Sequence, residues 1–237
     1  MLPGQPMQLP LGVKLRDEAT FANYFAGPNA VVVAAVETLA DPASSAAEQC
    51  VYLWGAAGSG RSHLLQAACH RMADNNGLAM YLPLDDVMDH GPDILEGMDQ
   101  FDLLCLDGLD ALAGRHEWEE ALFHLYNRLR DQGGRLLVAA SATPRELDLE
   151  LPDLASRLSW GVVYQLQALG DEDKQRMLKL RAELRGLQLP DEVARYILSR
   201  GSRGMTDIFA ALELLDQASL QAQHKLTIPF VKRVMGW

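Results

Sequence analysis

The sequence predicts an α/β domain built on a five-stranded parallel sheet, followed by a small all-helical domain. Five short apolar segments, bounded by Gly, Pro or charged residues, have the length and composition of buried strands. Helical patterns lie between most of these segments, and this alternation is typical of a parallel sheet covered on both faces. After Leu169 the strand patterns stop and only helical patterns follow.

The α/β domain combines these strands with amphipathic helices. A helix is expected at residues 62–72, where Leu65, Cys69 and Met72 lie on one stripe, and a second helix at 118–130. The strands are expected at residues 50–54, 78–82, 101–106, 136–140 and 162–166.

The second domain is expected to contain four helices. Asp171 and Thr227 are the expected N-terminal caps, and Gly186 and Gly201 are the expected stops. The four helices are expected at residues 172–185, 191–200, 206–223 and 229–235. The first eighteen residues are rich in Pro and Gly and show no hydrophobic periodicity, so they are predicted to be a tail. The predicted organisation is therefore a tail at 1–18, the α/β domain at 19–169 and the helical domain at 170–237.

The composition is that of an ordinary globular protein, with 49% of the 237 residues hydrophobic. Apolar runs such as residues 30–36 are far shorter than the ~18 residues that span a bilayer, and residues 1–12 lack the features of a secretory signal. We therefore expect a cytoplasmic protein with no membrane association. An odd number of cysteines in apolar contexts, at Cys50, Cys69 and Cys105, predicts reduced, packed thiols.

The charge is distributed unevenly along the chain. Residues 1–170 contain 10 Lys plus Arg and 23 Asp plus Glu, whereas residues 171–237 contain 11 and 9. A formal net charge of −11 repels phosphate backbones, so we expect a protein partner and no direct sequence-specific DNA binding. For the basic cluster in the helical domain a solvated face is the first expectation and contact with an acidic partner the second. This cluster comprises Lys174, Arg176, Lys179, Arg181 and Arg185.

A phosphate-binding loop is predicted between the first strand and the first helix. Glycines allow backbone N–H groups to turn toward phosphate oxygens, and the helix N-terminus adds a partial positive charge. Ser62 occupies the position of a Mg²⁺-binding hydroxyl, while Arg61 stands where a Lys is usual, which favours binding over positioning for hydrolysis. The alternative is a glycine turn with no ligand. The predicted phosphate-contacting residues are Gly55, Gly58, Ser59, Gly60, Arg61 and Ser62.

A second metal-binding position is predicted at Asp107, where an apolar strand ends in a carboxylate. The alternative is a loop residue with no ligand. The next position usually carries the acid that polarises the attacking water, but here it is Gly108. Asp110 could in principle reach that water, and the sequence leaves this open.

Several motifs in order resemble those of the bacterial replication initiator DnaA and its AAA+ relatives. The phosphate loop continues as His63-Leu64-Leu65, and Thr20-Phe21 resembles the segment that lines the family's nucleotide pocket. The resemblance extends over residues 19 to 237. Its other elements are Phe25 and Gly27, Leu112-Ala113-Gly114, Phe123-His124, Tyr126-Asn127, Leu129 and the stretch 151–161.

This resemblance implies an AAA+ fold with a helical lid that binds ADP or ATP with Mg²⁺. It implies nucleotide contacts from His63 and Phe21, and from Ser141, which aligns with a polar residue after the fourth strand. Thr206 aligns with a phosphate-sensing Arg of DnaA, and Arg203 is a candidate replacement one helical turn earlier. Ser62 and Asp107 would hold the metal indirectly.

Within this family the chain resembles the Hda group of DnaA-related regulators. It has Arg61 in the phosphate loop, and its similarity to DnaA ends where the C-terminal DNA-binding domain of DnaA would begin. The resemblance implies that an N-terminal motif binds the sliding clamp, the β subunit of DNA polymerase III, in an extended conformation. The alternative is a tail without a partner. The motif residues are Gln8, Leu9, Leu11 and Val13.

The resemblance also implies that Arg157 is an arginine finger that acts in trans on ATP bound to DnaA. The expected function is therefore the regulatory inactivation of DnaA by a clamp-tethered, ADP-bound protein with weak or no ATPase activity of its own. The alternatives are an autonomous AAA+ ATPase that loads helicases or remodels DNA, and a purely structural adaptor. A surface salt bridge is the alternative role of Arg157, and formation of a homo-oligomer remains open.

Overall fold

The sheet of the α/β domain has five parallel strands in the order β2-β3-β4-β1-β5. A computed structural model describes residues 15–16, 19–44, 48–201, 204–222 and 224–237. The strands are β1 (Cys50–Trp54), β2 (Ala79–Pro83), β3 (Leu103–Asp107), β4 (Arg135–Ala140) and β5 (Val162–Gln165). The prediction of five strands is confirmed, β1 with the predicted bounds and the others shifted by one or two residues.

Helices cover both faces of this sheet. In the α/β domain they are α1 (Ala30–Leu39), α2 (Arg61–Asp74), α3 (Leu84–Val87), α4 (His116–Asp131) and α5 (Pro152–Trp160). Short 3₁₀ helices lie at Phe21–Asn23, Gly27–Asn29, Met88–His90, Pro92–Leu95, Met98–Gln100 and Leu109–Leu112. One face of the sheet packs against α1 and α2, and the other packs against α4 and α5.

The lid is entirely helical in the described part of the chain. It consists of α6 (Asp171–Leu184), α7 (Asp191–Arg200), α8 (Met205–Ala222) and α9 (Ile228–Met235) around a separate apolar core. The hydroxyl of Thr227 accepts from Phe230 N, so the predicted cap of α9 is confirmed. Asp171 is instead the first residue of α6, which begins after Gly170.

All three cysteines lie in the core of the α/β domain. Cys50, Cys69 and Cys105 are free and buried, as predicted. No helix in the described ranges combines the length and the apolar character that crossing a bilayer requires.

The parallel direction of the strands determines where the predicted phosphate loop and metal-binding residues lie. Because all five strands are parallel, the residues that follow β1, β3 and β4 lie at the same edge of the sheet. Gly55, Gly108 and Ser141 follow these strands.

Candidate nucleotide-binding site

The phosphate loop between β1 and α2 depends on glycines with left-handed backbones. Gly58 has φ +77° and Gly60 has φ +96°, values that side-chain-bearing residues rarely adopt. A Cβ at Gly60 would also come within 2.7 Å of the Tyr24 ring. The loop therefore requires glycine at these positions, both for its conformation and for the close approach of Tyr24.

Two buried polar atoms in this loop have no hydrogen-bond partner within the described residues. They are the Ser59 hydroxyl and Nη1 of Arg61. Leaving a buried polar group unsatisfied costs about 1–3 kcal/mol, so such atoms indicate a ligand that would complete them. Phosphate oxygens are suitable acceptors for both, because hydroxyl and guanidinium groups donate. The loop residues thus fit the nucleotide that the sequence predicts.

The two predicted metal-binding residues lie around one tyrosine. The Tyr81 hydroxyl, on β2, donates to Asp107 Oδ2 over 2.7 Å, and the side chains of Ser62 and Gln66 lie near the same hydroxyl. Burial, and then the Asp107 charge, raises the pKa of Tyr81, so its hydroxyl stays protonated as a donor. A hydroxyl and a carboxylate are hard oxygen ligands suited to Mg²⁺. The structure therefore brings Ser62 and Asp107 to one place.

The position after Asp107 is structurally committed to glycine. Gly108 has φ +78°, and a Cβ there would lie 3.1 Å from Asp85 Oδ2. Asp110 has a different role: its carboxylate accepts from the Ser141 N–H over 2.9 and 3.1 Å, and from the Ser141 hydroxyl. Asp110 thus fixes Ser141 at the end of β4.

His63 joins the phosphate helix to the N-terminal segment and the lid. Its Nε2 lies 2.8 Å from the Thr20 carbonyl oxygen, and its Nδ1 lies 3.4 Å from Nη2 of Arg181 on α6. Its ring lies 5.3 Å from the Tyr24 ring. Burial is the main cause that lowers the pKa of His63 to about 4, with the Arg181 charge contributing. His63 is therefore neutral near pH 7.

An apolar cavity lies between the phosphate loop and the lid. Its largely apolar lining and its position beside the loop suit the base of a nucleotide. The lining residues are Asn23, Tyr24, Phe25, Gly58, Ser59, Gly60, His63, Leu169, Met177, Arg181, Met205 and Phe209.

Three other residues predicted to contact the nucleotide, Phe21, Gly55 and Thr206, lie in different elements of the structure. Phe21 packs against the α1–α2 face of the sheet, and its neighbours Tyr24 and Phe25 line the cavity instead. Gly55 abuts the Leu166 carbonyl oxygen, where a Cβ would come within 2.6 Å. Thr206 is the second residue of α8.

The remaining predictions for the site lie outside the described residues. They concern Arg203 near the lid and the tail motif formed by Gln8, Leu9, Leu11 and Val13.

Arg157 lies on α5 at a different end of the domain. Its guanidinium carbon is 4.2 Å from the centre of the Trp160 ring and 5.9 Å from that of Phe123, and Trp160 is 61% exposed. Gly161, directly after α5, abuts the backbone of Cys50 at the start of β1. The phosphate loop follows the opposite end of β1, about 17 Å away for a five-residue strand. Arg157 is therefore half-buried beside an exposed ring and remote from the chain's own phosphate loop.

A buried glutamate on α4 fixes the start of the Arg157 helix. Glu119 is fully buried, and its carboxylate accepts from Gly114 N over 3.0 Å and from Leu151 N over 2.7 Å. Leu151 is the N-terminal cap residue of α5. Sequence reasoning missed Glu119 because nothing in the sequence distinguishes it from its solvent-facing neighbours Glu117 and Glu120.

Comparison with family models identifies both parts of the chain. The model of the bacterial DnaA ATPase domain matches residues 15–165, and the model of the Hda lid domain matches residues 171–235.

Solved structures share the fold. Domain III of the Thermotoga maritima replication initiation protein DnaA matches with a TM-score of 0.79 and 21% identity, over 94% of this chain and 98% of that chain. AMPPCP-bound DnaA from Aquifex aeolicus matches with a TM-score of 0.72 and 22% identity, over 88% and 68%. The RuvB Holliday junction branch migration motor of Thermotoga maritima matches with a TM-score of 0.63 and 16% identity, over 90% and 67%.

We expect Glu119→Ala to lower the free energy of unfolding by about 3 kcal/mol, because a buried carboxylate is removed and two backbone N–H groups lose their acceptor. Urea denaturation would measure this change. Glu120→Ala is the matched control: Glu120 is exposed and pairs with His116 at 3.1 Å, so its loss should cost less than about 1 kcal/mol. Equal effects of the two substitutions would contradict the anchoring role of Glu119.

We expect His63 to make folding stability depend on pH. Its pKa is about 4 in the folded chain against 6.5 as the ordinary value. Between these values the unfolded chain binds a proton that the folded chain does not, so the stabilisation present above pH 6.5 is lost as the pH falls toward 4. Between pH 7 and pH 4 the parent should lose about 3 kcal/mol more of its free energy of unfolding than His63→Gln loses. Urea denaturation at pH 7, 5.5 and 4 would measure both losses. Parallel pH profiles would disprove this assignment.

Proposed function

The chain belongs to the family of bacterial DnaA ATPase domains and has an Hda-type lid, which makes it a DnaA-related regulator of replication initiation, and we propose that it inactivates DnaA. It binds ADP in its own pocket and is tethered to the β subunit sliding clamp of DNA polymerase III. From there it supplies Arg157 to ATP bound by DnaA and stimulates its hydrolysis. DnaA is left in the ADP form.

The position of Arg157 carries this proposal. Arg157 is half-buried beside the exposed Trp160 and is remote from the home phosphate loop, and an arginine that serves a neighbouring site must also lie away from its own pocket. An arginine supplied in trans stabilises the charge of the transferring phosphoryl group and is worth on the order of 10³–10⁵ in rate. Stacking on Trp160 holds the side chain while leaving its charge able to meet a phosphate.

The home pocket is better suited to holding a nucleotide than to hydrolysing it. Unsatisfied polar atoms of Ser59 and Arg61 favour phosphate binding. Hydrolysis also needs a group that orients water, and here Gly108 has no side chain while Asp110 is engaged by Ser141. These features support ADP, with Mg²⁺ held indirectly by Ser62 and Asp107, as the resident ligand. They favour a regulator over an autonomous ATPase.

The tail supports a tether to the clamp. The Gln8-Leu9-x-Leu11 motif suits an extended peptide that inserts two leucines into an apolar pocket, with Val13 as a weaker anchor. Shortly after the motif the backbone of Arg16 is fixed to α2, because its N–H donates to Gln66 Oε1 over 2.9 Å and its carbonyl lies 3.1 Å from His70 Nε2. A clamp bound to the tail would therefore be close to the nucleotide-binding domain.

We expect Arg157→Ala to lower the stimulation of DnaA ATP hydrolysis by at least 10³-fold, because the charge supplied in trans is lost. The measurement is phosphate release from ATP-loaded DnaA in the presence of DNA-loaded clamp. Affinity for ADP and for the clamp should be unchanged.

Arg71→Ala is the matched control. Arg71 is a surface arginine on α2, which packs on the opposite face of the sheet from α5, and it pairs with Asp41 at 3.9 Å. It should leave the stimulation unchanged. If Arg157→Ala stimulates as the parent does, Arg157 is not the finger; if the parent itself gives no stimulation, the proposed function is wrong.

We expect Gln8→Ala combined with Leu9→Ala to abolish binding to the sliding clamp, because the hydrogen-bonding amide and an apolar anchor are removed together. Calorimetric titration of the clamp would measure this loss. Gln5→Ala is the control in the same tail and should bind as the parent does. Retained clamp binding by the double variant would place the clamp contact elsewhere on the chain.

A further inference from the structure

A guanidinium from the lid reaches the phosphate loop. Nη2 of Arg181, on α6, lies 3.4 Å from Nδ1 of His63, and its guanidinium carbon lies 4.9 Å from the centre of the Phe209 ring on α8. Arg181 lines the apolar cavity and also the more polar cavity beside it, which contains Arg61 and Ser62. The expectation of a solvated basic face thus holds for its neighbours on α6, where Arg176 pairs with Asp173 and Lys179 with Asp191, but is wrong for Arg181.

Two of the contacts that Arg181 makes near the loop are with uncharged rings. The Thr20 carbonyl can only accept, so Nε2 of His63 carries the proton and Nδ1 is a neutral acceptor for Arg181. An aromatic face such as that of Phe209 contributes about 0.5–2 kcal/mol to a cation. A phosphate oxygen forms a charge-assisted hydrogen bond, roughly twice as strong as a neutral one. A phosphate oxygen would therefore bind this guanidinium more strongly than either of these two rings does.

The two ends of the site identify the phosphate within reach. At one end Ser62 and Asp107 meet at the Tyr81 hydroxyl, which is the metal side. At the other end His63 and Tyr24 border the apolar cavity suited to the base. In a nucleotide the α-phosphate is the one nearest the base, and the terminal phosphate lies toward the metal. Arg181 contacts His63, on the side of the base.

We propose that Arg181 binds the α-phosphate of the nucleotide and so joins the lid to the phosphate loop. This inference rests on the nucleotide binding in the proposed function and adds the lid residue that mediates it. Since ADP and ATP share the α-phosphate, Arg181 stabilises both equally and does not distinguish them. A lid held in this way would retain ADP as firmly as ATP, which suits a regulator that keeps a spent nucleotide.

The test compares the affinities of adenosine, AMP, ADP and ATP for the full chain, by competition against a fluorescent ADP analogue. Arg181→Ala should weaken AMP, ADP and ATP by about 10- to 100-fold each and leave adenosine unchanged. Arg181→Lys should recover part of the loss because it keeps the charge. Arg176→Ala, on the same helix but facing solvent, should match the parent, and thermal unfolding verifies that each variant is folded.

Other results would overturn the proposal. An equal loss for adenosine and AMP would mean that Arg181 only shapes the base cavity. A loss confined to ATP would place Arg181 at the terminal phosphate. If Arg181→Ala does not fold, Arg181→Gln and Arg181→Lys replace it. A loss of AMP affinity that is as large in Arg181→Lys as in Arg181→Gln would refute the charge-based contact. If the parent chain binds ADP and Arg181→Ala binds it equally well, this inference alone is wrong. If the parent chain binds no nucleotide, the proposed function is wrong.

Discussion

The direction of the parallel sheet is the constraint on which the arrangement of the protein depends. All strands end at one edge, so the phosphate loop after β1, Asp107 at the end of β3 and Ser141 after β4 meet there. The helix α5 leads back to the start of β5, which pairs with β1 from Val51 onward. An arginine near the end of α5 is therefore separated from the home nucleotide by the length of a strand. One sheet thus places the phosphate loop and Arg157 toward opposite ends of the domain.

The helix α2 connects the parts that meet at the binding end. Ser62 and Gln66 lie one turn apart and approach the Tyr81 hydroxyl, while His63 approaches Thr20 and Arg181. Further along the helix, Gln66 and His70 hold the backbone of Arg16. A nucleotide at the start of α2 therefore contacts a helix on which the sheet, the lid and the segment after the tail are all fixed.

The sequence predicted the elements that local patterns determine and missed those that tertiary contacts determine. The strands are continuous apolar runs, and the loop is a set of glycines at fixed spacing, so both were recognised. The helix α1 was not, because its β-branched run Val31–Val33 favours strands, and only the burial of Val32, Val36 and Leu39 reveals the helical stripe. The site contacts of Tyr81 with Asp107, of Ser141 with Asp110 and of Arg181 with His63 join residues 26, 31 and 118 positions apart. No spacing rule in a single sequence identifies such pairs.

The lack of a second acid after Asp107 is built into the backbone rather than into one exchangeable side chain. At residue 108 a left-handed conformation disfavours any side chain, and a Cβ there would make a tight contact of 3.1 Å with the Asp85 carboxylate. An acid placed there would be strained, and it would also meet a like charge, which raises the free energy of both carboxylates. The next available acid, Asp110, is needed to hold Ser141. An acid directly after Asp107 would thus require a different turn after β3.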